Sequence, residues 1–269
     1  MKKVILVTGA SSGLGLATAN ALSAQGHTVY GTSRDIKRIK GASFNPLQMD
    51  VTDDASVNAA VENIIKAGGK IDVLINNAGN GITGPLYAMP VEAAKRQFDV
   101  NFFGVVRVSS AVLPGMIDKK QGLVINIGSL AGLFGLPYQG LYSASKFAIE
   151  GYSQSLRMEL QNTGVKVTVI NPGDFKTDFT GSREKLPFPL PNDQLKKEFE
   201  AAVASMEKDE GIGADPGKLA AQICKIVGKS NPSHNYLIGA FGQTIVPTLK
   251  AILPGGIFVK LMNDHYGIK

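Results

Sequence analysis

Tryptophan is missing from this chain of 269 residues, cysteine occurs once and histidine three times. With Cys224 alone, no internal disulfide and no cysteine-based metal site can form. His27, His234 and His265 lie far apart in sequence and show no ligand spacing, so no metal is expected. Charge is sparse too, at 19% of residues. The 28 basic groups outnumber the 22 acidic ones but are scattered, the densest clusters being 34–40 and Lys196-Lys197. A net charge of +6 spread this way reads as a solvated basic surface with an anionic ligand. No nucleic-acid partner is expected.

Long apolar runs are lacking as well. The first apolar stretch, 4–7, is too short for a signal-peptide core, which leads to the expectation of a cytoplasmic protein. The apolar tail at 244–263 is broken by Pro247, Lys250, Pro254 and Lys260. A membrane-spanning helix needs about 20 apolar residues in a row, so no transmembrane segment is expected.

What the chain does contain is alternation. Short β-branched runs at 4–8, 28–32, 44–49, 71–75, 123–127, 165–170 and 236–238 read as strands. Between them lie helical stretches: 14–25 closed by Gly26, a helix capped by Thr52 with Asp53 and Asp54 in its first turn, 91–116 as one long helix open to a kink, and 142–160. Asp215-Pro216 reads as a cap followed by proline at the first helical position, opening a helix to Val227. This is the pattern of an α/β protein: a single domain over 1–269, built as a Rossmann-type doubly wound parallel sheet of about seven strands with helices on both faces.

Two local patterns carry chemistry. Thr8-Gly9-Ala10-Ser11-Ser12-Gly13-Leu14-Gly15 joins the first strand to the first helix. Glycines there let backbone N–H groups approach a pyrophosphate at the positive end of the helix, which points to a dinucleotide. At the end of the second strand, where NAD sites place an acid for the ribose 2′-OH, this chain has Ser33-Arg34. A guanidinium can fork onto a 2′-phosphate, so NADP(H) is the expected cofactor and NAD the weaker fit, with Asp35 the ribose ligand in that second case.

Tyr142 and Lys146 are four apart on a helix, which sets them on one face about 5–6 Å apart at Cβ. A free tyrosine titrates near pH ~10. One positive charge at ~4 Å, at an effective dielectric of ~20, interacts by about 4 kcal/mol at most. Lys146 is therefore expected to lower the Tyr142 pKa and make it a general acid–base near neutral pH. Ser129 follows the fifth strand at its carboxyl edge, where it can donate to a substrate oxygen that gains charge. Tyr142 and Ser129 are the expected substrate contacts.

Together, the loop 8–15, Asp50-Val51, Asn76-Asn77-Ala78-Gly79, Asn101, Ser129, Tyr142-x-x-x-Lys146 and Pro172-Gly173 with Thr177 resemble the short-chain dehydrogenase/reductase superfamily across nearly the whole chain. The resemblance implies an oxidoreductase moving hydride between NADP(H) and a carbonyl or secondary alcohol. It implies that Gly9, Ser11, Ser12, Gly13, Leu14, Gly15, Ser33 and Arg34 hold the phosphates and ribose, and that Asp50 and Val51 hold the adenine. Asn77, Ala78 and Gly79 would support the cofactor, and Lys146 would bind its ribose hydroxyls. Pro172, Gly173, Phe175 and Thr177 would lie along the nicotinamide. Asn101 would help hold a water leading from Lys146 to solvent. Family resemblance also implies a homodimer or homotetramer through the 142 and 91–116 helices, where the small residues Ala144, Ala148 and Gly151 allow close packing.

Residues 179–213, with Pro187, Pro189 and Pro191 around Phe188 and Leu190 and a charged helical piece at 192–210, are expected to form a substrate lid. The tail 239–269 is similar to those of relatives acting on steroids, retinoids and acyl-glycerone phosphates, which points to a lipophilic substrate. Two other readings compete: a non-catalytic NADP(H)-binding redox sensor, and a nucleotide-sugar epimerase or dehydratase. The sensor has no need of Ser129, Tyr142 and Lys146 together. The epimerase group has a Gly-x-x-Gly-x-x-Gly loop and a larger C-terminal substrate domain, neither of which occurs here. Arg34→Asp should weaken NADPH binding more than NADH binding in fluorescence titrations; equal loss for both would remove Arg34 from cofactor choice.

Overall fold

In the computed structural model, residues 2–178, 181, 183–185 and 192–268 are described. The strands are β1 (Val4–Val7), β2 (Thr28–Ser33), β3 (Asn45–Gln48), β4 (Val73–Asn76), β5 (Ile82–Thr83), β6 (Gly122–Ile127), β7 (Val165–Pro172), β8 (Glu184–Lys185) and β9 (Asn235–Ile238). Seven of them form one sheet in the order β3-β2-β1-β4-β6-β7-β9, and every pairing in it is parallel. The expected α/β doubly wound architecture is therefore present. A small β5–β8 ladder, which the sequence pattern did not signal, stands apart.

Period-2 alternation sorts the strand side chains between two cores. Ile5, Val7, Val73, Ile75, Ile125 and Ile127 face α1 (Gly13–Ala24) and the helix Pro216–Val227. Leu6, Leu74, Val124 and Val167 face α2 (Asp54–Gly68), α4 (Gly104–Asp118) and α5 (Gly140–Glu159). Both faces are covered, which is why these strands read as unbroken apolar runs. The chain winds outward from β1 to β3, then returns to β4 beside β1 and winds the other way. The carboxyl ends of β1 and β4 thus meet at the point where the order reverses, and a crevice opens there.

Several local expectations change. The cap of α2 is Asp53, whose carboxylate accepts from Ala55 N (2.9 Å) and Ser56 N (3.3 Å), not Thr52. Thr52 instead donates through both N (2.9 Å) and Oγ1 (2.7 Å) to Asp50. Helix α5 starts two residues before Tyr142, at Gly140. The long helix, expected to be open to a kink, is interrupted by a π turn at Asp99–Phe103, between α3 (Val91–Phe98) and α4, while Pro114 lies inside α4. The run Val91–Asp118 is long and apolar enough to cross a membrane by length and composition. It serves as a core helix: Gln97, Asn101 and Ser109 are buried in it, and each is hydrogen-bonded to a neighbouring segment.

Within the expected lid, the helix Asp193–Gly211 is capped by the Asn192 side chain, while Phe179, Pro187, Phe188, Pro189, Leu190 and Pro191 lie outside the described residues. The tail folds into the helices Phe241–Thr244, Val246–Ile252 and Gly255–Tyr266. Phe258, Met262 and Tyr266, each four apart, pack inward against Leu130, Phe134, Ala202 and Met206.

The crevice is held by one hydroxyl. Thr8 Oγ1, buried at the end of β1, accepts from Asn77 N and Ala78 N, both at 2.9 Å. The Asn77 amide returns the link by donating to Thr8 O (2.9 Å) and Gly9 O (3.0 Å). Thr8→Val keeps the shape but strands two half-buried donors, at about 1–2 kcal/mol each. Chemical denaturation should show a loss of about 2–4 kcal/mol; a midpoint unchanged from wild type would mean that water replaces the hydroxyl.

Candidate active site

The loop after β1 reaches the crevice because glycine occupies two crowded positions. Gly9 has φ +66°, and a Cβ on it would lie 2.8 Å from Ala78 Cα. A Cβ on Gly15 would lie 2.2 Å from Gly9 O, so α1 can pack this closely on its own loop. The N-cap Ser12 makes no side-chain cap bond, and no acidic residue sits in the first turn of α1. The helix therefore presents its first N–H groups and its positive end to the crevice.

Around that helix end lies a cleft of about 710 Å³. Gly9, Ser11, Ser12, Gly13, Leu14 and Gly15 line it at one end, with Ser33, Arg34, Asp50 and Val51 beside them. Asn77, Ala78 and Gly79 come from the end of β4, and Ser129 from the end of β6. Tyr142 and Lys146 project from α5, and Pro172, Gly173, Phe175 and Thr177 follow β7. Every expected site residue but one thus meets at this cleft. Asn101 is the exception. It is fully buried behind the wall, where Oδ1 accepts from Asn80 N (2.9 Å) and Nδ2 donates to Asn80 O (3.0 Å) and Ser145 Oγ (3.0 Å). It ties the π turn to α5.

Ser129 and Tyr142 are hydrogen-bonded to each other through their side chains. Ser129 is itself set by its backbone N–H, which donates to Asn171 Oδ1 at 2.7 Å. Lys146 Nζ lies 5.7 Å from the Tyr142 ring centre and donates to Ile127 O at 2.8 Å.

The electrostatics differ from the expectation. Burial pushes the Tyr142 phenol up to about 12, with Ser129 pulling against it and the carboxylates of Glu210 and Asp174 adding to the rise. Burial likewise pushes the Lys146 ammonium down to about 8. The lowering of Tyr142 by Lys146 is therefore not what this arrangement produces: with Nζ turned to a backbone carbonyl, desolvation dominates both groups.

Comparisons with known proteins place the chain in a family. Residues 3–186 match the model of the short chain dehydrogenase family. The chain belongs to the short-chain dehydrogenase family. It is 44% identical over 267 residues to a 3-ketodihydrosphingosine reductase of Bacteroides thetaiotaomicron, with 99% of each chain covered. It is 34% identical to retinol dehydrogenase 8 of Bos taurus, over 94% of this chain and 86% of that one. Among solved structures, a short-chain dehydrogenase from Streptomyces avermitilis is similar with a TM-score of 0.84 at 27% identity, covering 99% of this chain and 96% of the other. A short-chain dehydrogenase from Burkholderia cenocepacia, solved in complex with NADP, has a TM-score of 0.76 at 25% identity, with 97% of each chain covered. As a member of this family, the protein is an oxidoreductase.

Residue-by-residue reading of the sequence passed over Arg38, Asp174, Met206, Glu210 and Tyr266, all of which line the cleft of this short-chain dehydrogenase. Asp174 could have been noticed, since it stands between Gly173 and Phe175, both of which were named as site residues. Tyr266 could not, because only the folding back of the tail brings it there.

A buried, depressed lysine has a consequence for stability. Between pH about 8 and its ordinary value near 10.5 the unfolded chain binds the Lys146 proton and the folded chain does not, so stability rises with pH across that window. Below about 8 the full penalty is present. Lys146→Met should therefore stabilise the fold at pH 7 by about 1–3 kcal/mol after loss of the bond to Ile127 O, with the gain vanishing toward pH 10.5. Thermal unfolding at the two pH values checks this; equal shifts at both would show that burial of the ammonium carries no cost.

Proposed function

We propose that this protein is an NADP(H)-dependent reductase of a lipophilic ketone. The observation that carries the reading is the meeting of the Ser129 and Tyr142 hydroxyls and the Lys146 ammonium at the mouth of the glycine loop. When bound, the nicotinamide supplies the hydride. The first N–H groups of α1 are available for the pyrophosphate, and Arg34 and Arg38 for a 2′-phosphate. Among the described residues, neither guanidinium has a carboxylate within ion-pair distance. Asp35, the rival ribose ligand, instead accepts from Lys37 N at 2.9 Å and caps the short turn Ile36–Arg38. This supports NADP(H) over NAD.

Ser129 donates to the substrate carbonyl oxygen and steadies the charge that develops there. Tyr142 delivers its proton to the same oxygen. A phenol held up at about 12 stays protonated at neutral pH, which suits the delivery of a proton to an alkoxide. Lys146 anchors α5 to the end of β6 and is available to ribose hydroxyls from the cleft floor. Leu136, Met206 and Tyr266 give the substrate end an apolar lining. The named substrates of the two similar enzymes, 3-ketodihydrosphingosine and retinol, are both long and apolar, and support the same choice.

Tyr142→Phe should still bind NADPH, as read by fluorescence titration, while turnover on long-chain ketones falls by about 10²–10⁴-fold. Activity within tenfold of wild type would take Tyr142 out of the reaction.

A further inference from the structure

Just past β6, Gly128 N still donates to Ile170 O of β7 at 2.8 Å. The next N–H, that of Ser129, is met by a side chain instead: Asn171 Oδ1 accepts it at 2.7 Å. An amide has a donor end and an acceptor end, and only one way round serves Ser129. The groups that set it lie outside the cleft. Glu150 on α5 accepts from Asn171 Nδ2 through Oε1 at 2.5 Å. Asn235, the first residue of β9, donates to both Glu150 oxygens at 3.2 and 3.1 Å, and its Oδ1 accepts from Asn171 Nδ2 at 3.2 Å. None of Glu150, Asn171 and Asn235 lines the cleft. Glycine leaves the room for this link, since a Cβ on Gly128 would collide with Asn171 Oδ1. Ser129 Oγ meanwhile accepts from Ala131 N at 3.1 Å, which leaves its own proton for donation.

We propose that Glu150 is a positioning residue for Ser129: its carboxylate fixes which way the Asn171 amide faces, and that amide holds the backbone of the serine that donates to the substrate carbonyl. This rests on the role given to Ser129 above. An ionised carboxylate can only accept, so it keeps the donor end of the Asn171 amide toward α5 and turns the oxygen to Ser129. A neutral amide at the same place could hold either end. The bonds to a carboxylate are also charge-assisted and stronger than neutral ones. Burial pushes the Glu150 carboxyl above its usual range, while the Asn171 and Asn235 amides pull it back. Tyr142 sits on the same helix about two turns earlier. One helix therefore carries the proton donor and aims the second hydroxyl.

The test is single-turnover reduction of a long-chain ketone by NADPH in wild type, Glu150→Leu, Ser129→Ala and the double variant. Glu150→Leu should slow hydride transfer by about 10–100-fold with NADPH affinity unchanged, and Glu150→Gln, which keeps an acceptor, should recover most of the loss. In Ser129→Ala the leucine should add less than about threefold, because a residue that acts through the serine has nothing left to act on. A merely structural role would slow both backgrounds alike. A second measurement needs no turnover. By NMR, the Ser129 amide should exchange with deuterated water about tenfold faster in Glu150→Leu, relative to the amide of Gly128. If wild type reduces no ketone but the Ser129 amide responds in this way, the reductase reading fails and the positioning by Glu150 stands. If Glu150→Leu slows Ser129→Ala as much as wild type, or leaves the Ser129 amide as protected as before, the proposal is overturned.

Discussion

The ammonium of Lys146 is buried beneath the end of the central sheet, and the site is arranged around that constraint. With Lys146 5% exposed and Nζ bonded to Ile127 O at 2.8 Å, α5 must lie across the carboxyl end of β6. One helical turn earlier the same face carries Tyr142, and two residues beyond Ile127 the chain places Ser129. The two hydroxyls are thus brought together by the anchoring of one helix on one strand end. The register of β6 on β7 completes the arrangement, because Asn171 of β7 holds the backbone N–H of Ser129.

Buried polar groups fix α5 in rotation as well as in position. Asn76 on β4 donates to Ser109 on α4 (3.1 Å) and to Asn126 on β6 (2.9 Å), and Asn126 donates to Ser153 on α5 (2.8 Å). An apolar interface tolerates sliding, but a buried network of this kind has one arrangement that satisfies its donors. Asn101, bonded to Ser145 and to both backbone groups of Asn80, adds a second tie near the active end. Asn101 lies within the π turn that interrupts this helix.

Elements with a strong period were legible from the residues alone. The β-branched runs found their places in the sheet to within a residue or two, and the glycine loop, the Asn77 turn, Ser129, Tyr142 and Lys146 could be named before any contact was known. The misses share a cause. Thr52 and Asp53 are both good caps by type, and only the competing Asp50 carboxylate, which takes the Thr52 hydroxyl, decides between them. The Tyr142–Lys146 spacing implies proximity, but says nothing of how much water each group loses. Desolvation reversed the expected shift of the phenol.

Local order in the chain determined the alternation of strand and helix, the parallel sheet, and the identity of the residues at the strand ends, because periodicity and glycine placement act over a few neighbours. Tertiary structure alone decided which of those residues share a cleft and with what charge. Asp174 is oriented by Gln243, 69 positions away, and Tyr266 reaches the same cavity from near the end of the chain. Contacts across such distances depend on how the two cores close on the sheet, and no short window of sequence encodes that.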